Sequence, residues 1–194
     1  MLKTVENLAK AFAGESMARN MYISFAKIAK KEGFEQIAAA LQLTADNERE
    51  HASWTSKLIN ALNAGAAEKF DEIKIGATVS TSLSNTAANL KAAIEGELHE
   101  ATTMYPEFAD IADSEGLPEV AKRLRAIAVA EAHHADNYKR MLAQVEAGTF
   151  FEKDRKVEWV CRECGYVHFG EEPPERCPAC DHDRAYYQLK CEEY

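Results

Sequence analysis

Ala45-Asp46-Asn47-Glu48-Arg49-Glu50-His51-Ala52 and Ala128-Val129-Ala130-Glu131-Ala132-His133-His134-Ala135 carry the same pair, Glu-x-x-His, at an offset of 83 in the numbering. Residues three apart share one face of an α-helix, so each glutamate and histidine can reach a common point. Around each pair the apolar residues recur in alternating steps of three and four. One stripe runs Ile37, Leu41, Thr44, Glu48, His51, Thr55, Leu58, Leu62; another runs Val120, Leu124, Ile127, Glu131, His134, Tyr138, Met141, Val145. Two more stripes precede them: Leu8, Phe12, Glu15, Arg19, Tyr22, Phe25, and Leu90, Ile94, Glu97, Glu100, Met104, Phe108, Ile111. Four helices with one apolar stripe each predict a four-helix bundle.

Short joints at Glu32-Gly33 and Glu115-Gly116-Leu117-Pro118 make two antiparallel hairpins. The Gly-, Ala-, Thr- and Ser-rich stretch 64–85 between them is long enough to cross the bundle. The hairpins are copies. Tyr22, Phe25, Ile28, Gly33, Glu48 and His51 recur as Tyr105, Phe108, Ile111, Gly116, Glu131 and His134 at the offset of 83, whereas Gly14-Glu15 recurs as Gly96-Glu97 at an offset of 82. One residue is therefore extra between Glu97 and Tyr105, inside a helix. A π-turn absorbs such an insertion most cheaply. It is expected here, and it would aim Glu100, whose counterpart in the first hairpin is Met17, toward the bundle axis.

Glu15, Glu48, His51, Glu97, Glu100, Glu131 and His134 interrupt the apolar stripes near mid-helix. Carboxylates buried without counter-charge cost several kcal/mol each, and Arg19 is the main basic residue on these faces. Two multivalent cations would supply the missing charge and accept oxygen and imidazole ligands together. A glutamate from each of two helices plus Glu-x-x-His from each of the others is the di-iron bundle pattern. His99, His133 and Glu50 lie beside the stripes and read as solvated.

After residue 150 the composition changes, and the boundary is expected between Gly148 and Lys156: a bundle over 1–150 and a small unit with short strands over 151–194. All five cysteines lie there. Cys161-x-x-Cys164 and Cys177-x-x-Cys180, joined by the stretch 165–176, make a tetrahedral thiolate site for iron or zinc. Cys191 is left without a role. A formal charge of −9 disfavours nucleic acid, no apolar run is long enough for a membrane helix, and the first residues lack the apolar core of a signal peptide. The expected location is the cytoplasm.

AFAGESMARNMY (11–22), ADNEREHA (45–52), EGELHEATTMYPEFA (95–109), AVAEAHHA (128–135), WVCRECGYVHFG (159–170) and CPAC (177–180) resemble the rubrerythrin family along essentially the whole chain. The resemblance implies a ferritin-like bundle with a rubredoxin-like domain, holding two irons in the bundle and one on Cys161, Cys164, Cys177 and Cys180. It implies a non-haem peroxidase that reduces hydrogen peroxide to water. Glu15, Glu48, Glu97, Glu131 and His134 would ligate the di-iron pair, with Glu48 and Glu131 as bridges. Glu100 and His51 would exchange on one iron. By position alone, two turns beyond Glu15 and Glu97, Tyr22 and Tyr105 fall near the expected metals, and Tyr105 is a candidate catalytic group. Electrons would come from a rubredoxin-type protein or a reductase drawing on NAD(P)H, within a head-to-tail homodimer. Two other readings stay open: a ferroxidase or iron-handling protein, and a zinc-ribbon interaction module.

Overall fold

The computed structural model describes residues 2–79, 81 and 83–191. Helices α1 (Lys3–Lys31) and α2 (Glu35–Gly65) form the first hairpin. The second is α3 (Thr86–His99), a π-turn (Glu100–Met104) and α4 (Tyr105–Ser114) running as one rod, followed by α5 (Pro118–Glu146). Together they make a ferritin-like four-helix bundle. No helix among the described residues is long and apolar enough to cross a membrane.

Both hairpins turn by the same device. Gly33 and Gly116 adopt left-handed φ values of 85° and 75°. The amides that follow reach back, Phe34 N to Ala29 O at 2.9 Å and Leu117 N to Ala112 O at 2.8 Å, to close carbonyls that would otherwise be orphaned. Each turn also caps the other hairpin. Glu115 accepts from the amides of Lys3 and Thr4 (2.8 and 2.9 Å), and Glu32 accepts from the amide of Thr86 (2.8 Å). Thr4 and Thr86 are related by the offset of 82, Glu32 and Glu115 by the offset of 83. The duplication is thus a near-twofold in space, with its register change between them.

That change is the π-turn. The amide of Tyr105 bonds to the carbonyl of Glu100, five residues back. Pro106 follows at once; it lacks an amide, and its ring would press on the carbonyl of residue 102 in a regular helix. The wide turn accommodates both the inserted residue and the proline.

The core is split. One apolar cluster gathers Tyr22, Phe25, Ile37, Leu41, Leu90 and Tyr138; the other gathers Leu8, Tyr105, Val120, Leu124 and Ile127. Between them lies a buried layer containing Glu15, Glu48, Glu97 and Glu131. Phe12, expected in the first stripe, is 43% exposed, so its stripe position does not face a neighbouring helix.

Beyond α5, Phe150 and Phe151 pack on Phe34 of the first interhelical turn, Phe151 stacked at 6°. Then β1 (Val157–Cys161), β2 (Val167–Gly170) and β3 (Tyr187–Leu189) form an antiparallel sheet in the order β2-β1-β3. Among the described residues its fully buried core is Trp159, Cys161, Cys177 and Tyr187. A core that small needs a metal staple.

Candidate metal centres

Each helical rod lends a carboxylate to the buried layer, and α2 and α5 each add a histidine. Glu15, Glu48, His51 and Glu131 bring one donor atom each to within 4.8 Å of one another, and so do Glu48, Glu97, Glu131 and His134. Glu48 and Glu131 belong to both groups. Glu48 offers Oε2 to His51 Nδ1 (2.8 Å) and Oε1 to His134 Nδ1 (3.3 Å). Glu131 offers Oε1 to His51 Nδ1 (2.9 Å) and Oε2 to His134 Nδ1 (2.9 Å). Two carboxylates that each present one oxygen to each group have the geometry of bridges.

The charge balance calls for cations. Glu15 Oε2, Glu48 Oε1 and both carboxylate oxygens of Glu131 are buried, and the last three have only the two histidine rings within ion-pair reach among the described residues. Burial, with the charges of Glu100, Glu48 and Glu131, holds the Glu15 carboxyl well above its ordinary range. Burial and the neighbouring carboxylates raise Glu100 likewise and Glu97 to about 7. Against burial, hydrogen bonds that His51 donates to Glu131 and Glu48 lift it to about 9, and those that His134 donates to Glu131, Glu48 and Glu97 lift it to about 12. Glu48, also buried, is held low by the two histidines. Protons here do the work that two divalent ions would do better, and the mixed oxygen–imidazole set suits iron.

Tyrosines cross the near-twofold. Tyr22 of α1 donates to Glu97 Oε1 of α3 (2.6 Å), and Tyr105 of α4 donates to Glu15 Oε1 of α1. Both rings are buried and each fixes one oxygen of the carboxylate it holds. Glu100 joins neither donor group. It is half-buried on the π-turn, its Oε1 3.9 Å from where a Cβ on Gly14 would sit. There it borders a cavity of about 640 Å³ walled also by Met17, Tyr22 and Gly96 and covered by Thr78, Val79 and Leu83. His99 and His133 are exposed, as expected. Arg19 makes no ion pair among the described residues, and its Nε is buried without a partner. Sequence reading passed over Asn47, whose Oδ1 lies 3.3 Å from His134 Nε2; the only available signal was a break in the repeat.

In the small sheet domain the four expected sulfurs converge. Cys161 and Cys180 Sγ are 3.8 Å apart, and Cys164 and Cys177 Sγ are 3.6 Å apart. Thiolates about 2.3 Å from a central tetrahedral ion are roughly 3.8 Å from one another. Each knuckle closes on its first cysteine, Gly165 N to Cys161 O and Asp181 N to Cys177 O, both at 2.9 Å. The thiols are shifted in opposite directions: against burial, hydrogen bonds hold the Cys177 thiol down to about 6, while, against the His182 amide, burial and the other three thiols push Cys180 up to about 12 and burial raises Cys161, so four thiolates together call for a cation. This knuckle pair suits one iron.

Fold and sites define a di-iron carboxylate protein of the ferritin-like class with an appended four-cysteine iron domain. The family model Rubrerythrin matches residues 6–142, and that of the rubrerythrin rubredoxin-like domain matches 159–188. The chain belongs to the rubrerythrin family. It is 57% identical to a candidate rubrerythrin of Methanocaldococcus jannaschii over 100% of this chain and 96% of that protein. It is 43% identical to rubrerythrin of Nitratidesulfovibrio vulgaris over 96% of this chain and 94% of that protein. Among solved structures, fully reduced, all-ferrous nigerythrin superposes with a TM-score of 0.63 at 30% identity, covering 98% of this chain and 88% of that one.

The proton balance makes stability a test of metal dependence. In the metal-free protein Glu15, Glu97 and Glu100 sit above the unfolded value of 4.5, so their contribution is present at low pH and drains as pH rises, through about 7 for Glu97. His51 and His134 are raised from 6.5, so theirs is full below 6.5 and drains through about 9 and about 12. Glu48 works the other way, but only below 4.5. Metal-free protein should therefore gain stability in urea melts from pH ~8 down to pH ~5, and iron should flatten that slope. A melting midpoint that climbs with pH over this range would contradict it.

Proposed function

We propose that this chain is a non-haem peroxidase, an oxidoreductase that reduces hydrogen peroxide to two waters with two electrons and two protons. The observation that carries the reading is the pairing, on one chain, of two carboxylate–histidine donor groups that share Glu48 and Glu131 with one four-cysteine group. Glu15, Glu48, His51, Glu97, Glu131 and His134 would hold two irons, and Cys161, Cys164, Cys177 and Cys180 a third. Once loaded, the pair would supply two electrons and Lewis acidity toward the O–O bond.

The chain's own groups do the rest. Glu48 and Glu131 span both positions and keep them together. Tyr22 and Tyr105 hold Glu97 and Glu15 by one oxygen, leaving the other for metal. Glu100 is poised on the wide turn, outside the donor groups but within their field, where it can enter as a ligand in place of His51 and take up or release a proton. We divide the chain at residues 150 and 151 and read it as a cytoplasmic homodimer. The first interhelical turn packs on the cysteine domain, Gly33 beside Ala185. Along the bundle from Gly33 to Glu48 the distance is roughly 20 Å at about 1.5 Å per residue. That separation supports a head-to-tail arrangement in which a partner's cysteine site serves this di-iron site, recharged by a rubredoxin-type protein or an NAD(P)H-linked reductase.

A ferroxidase would use the same bundle, but it has no need of the electron inlet. The two readings part when reduced protein is supplied with excess ferrous iron and peroxide. A peroxidase stays near three irons per chain and consumes donor electrons, two per peroxide. Continued uptake of iron without donor consumption would favour iron handling.

A further inference from the structure

The two histidines of the bundle are held differently, although the repeat makes them equivalent. His134 turns Nδ1 to the carboxylates and leaves Nε2 for Asn47 Oδ1 at 3.3 Å. With Nδ1 committed, Nε2 carries the proton and donates to that oxygen, which fixes ring orientation and tautomer. His51 also turns Nδ1 to the carboxylates, but its Nε2 has no hydrogen bond among the described residues. The offset of 83 that relates His51 to His134 relates Asn47 to Ala130. Where the near-twofold would place an amide for His51 there is a methyl group. Ala130 instead lines a surface cavity of about 190 Å³ shared with His51, Trp54, Arg123 and Ile127. At its rim the Arg123 guanidinium lies 3.8 Å from the centre of the Trp54 ring.

We infer that Asn47 and Ala130 decide which histidine can leave its metal: Asn47 locks His134 in place, and the methyl and cavity at position 130 leave the His51 ring free to turn. The inference rests on the di-iron reading above and deepens it. It makes Asn47 a positioning residue and gives the asymmetry of the site a cause outside the ligand set. The wide turn at Glu100 provides the incoming carboxylate on one side; the missing amide at Ala130 provides the outgoing imidazole on the other.

The test uses the iron-loaded full chain and substitutions at two positions that hold no metal themselves. Asn47→Ala removes the lock. In the reduced protein, one of the two bundle irons should pass to a ferrous chelator about 10–100-fold faster than in the parent, the usual cost of losing such a support, while the other keeps its rate. Ala130→Asn supplies the missing acceptor, and the cavity has room for the amide. Pulsed electron paramagnetic resonance on protein with labelled histidine counts imidazole nitrogens on the irons in mixed-valent and reduced samples. The parent should differ between the two states, and Ala130→Asn should not. Should Ala130→Asn lose iron, Ala130→Ser offers a smaller acceptor for the same count. The inference is overturned if Asn47→Ala releases both irons at parental rates or accelerates both equally, or if the acceptor at position 130 leaves the parental difference in place. Lack of peroxide turnover in the parent would refute the peroxidase reading alone, since neither readout depends on it.

Discussion

Glu100→Ala should keep two irons in the bundle and slow peroxide turnover about tenfold or more, the scale of losing a group that supports the metal without holding it permanently. The carboxylate lies outside both four-residue donor groups, so its loss leaves each intact. Removing it also relieves repulsion, because Glu97, Glu131 and Glu48 all push its ionisation upward. What disappears is the oxygen ligand on the wide turn, which Met17 in the first hairpin cannot replace. Iron analysis and steady-state peroxide consumption on the same preparation check both halves. Unchanged turnover would remove Glu100 from the chemistry, and loss of both irons would make it a structural ligand.

Cys177→Ser should separate the electron inlet from the chemistry. The serine cannot supply the thiolate that pairs with Cys164 Sγ at 3.6 Å, so the red colour of ferric four-thiolate iron and one metal of three should vanish. The bundle irons should remain, since their donors lie on α1 to α5. Donor-driven peroxide consumption should fall to background, while a single oxidation of the chemically reduced bundle by peroxide should survive. Loss of all three metals would show that the sites are not independent. Full donor-driven turnover would show that electrons bypass the knuckles.

Much of this architecture could be read from the chain because chemistry and periodicity coincide. Acidic residues on apolar stripes, repeated at one offset, required both a bundle and cations inside it. The change of offset from 82 to 83 even located the π-turn, since a helix has few ways to absorb one residue. Other features depend on which helices meet, and a stripe does not encode that. Phe12 follows its stripe yet faces outward. The crossed bonds of Tyr22 to Glu97 and Tyr105 to Glu15 join residues 75 and 90 apart in the chain. Asn47 precedes Glu48 and lies off the stripe altogether, so its approach to His134 emerges only when α2 and α5 are packed together. Arg19, attractive as a counter-charge on sequence grounds, pairs with none of the carboxylates.

The central claim is that the bundle is built to spend two electrons on an O–O bond already reduced to peroxide. Fully reduced iron-loaded protein, mixed rapidly with hydrogen peroxide in one experiment and with dioxygen in another, tests it most directly. The return of the ferric thiolate colour reports the knuckles, and the ferric carboxylate absorption reports the bundle. The account predicts rapid reoxidation by peroxide, three molecules per two chains because each chain gives up three electrons, and much slower reoxidation by dioxygen. Reoxidation by dioxygen as fast as by peroxide, or a bundle that peroxide leaves ferrous, would contradict it.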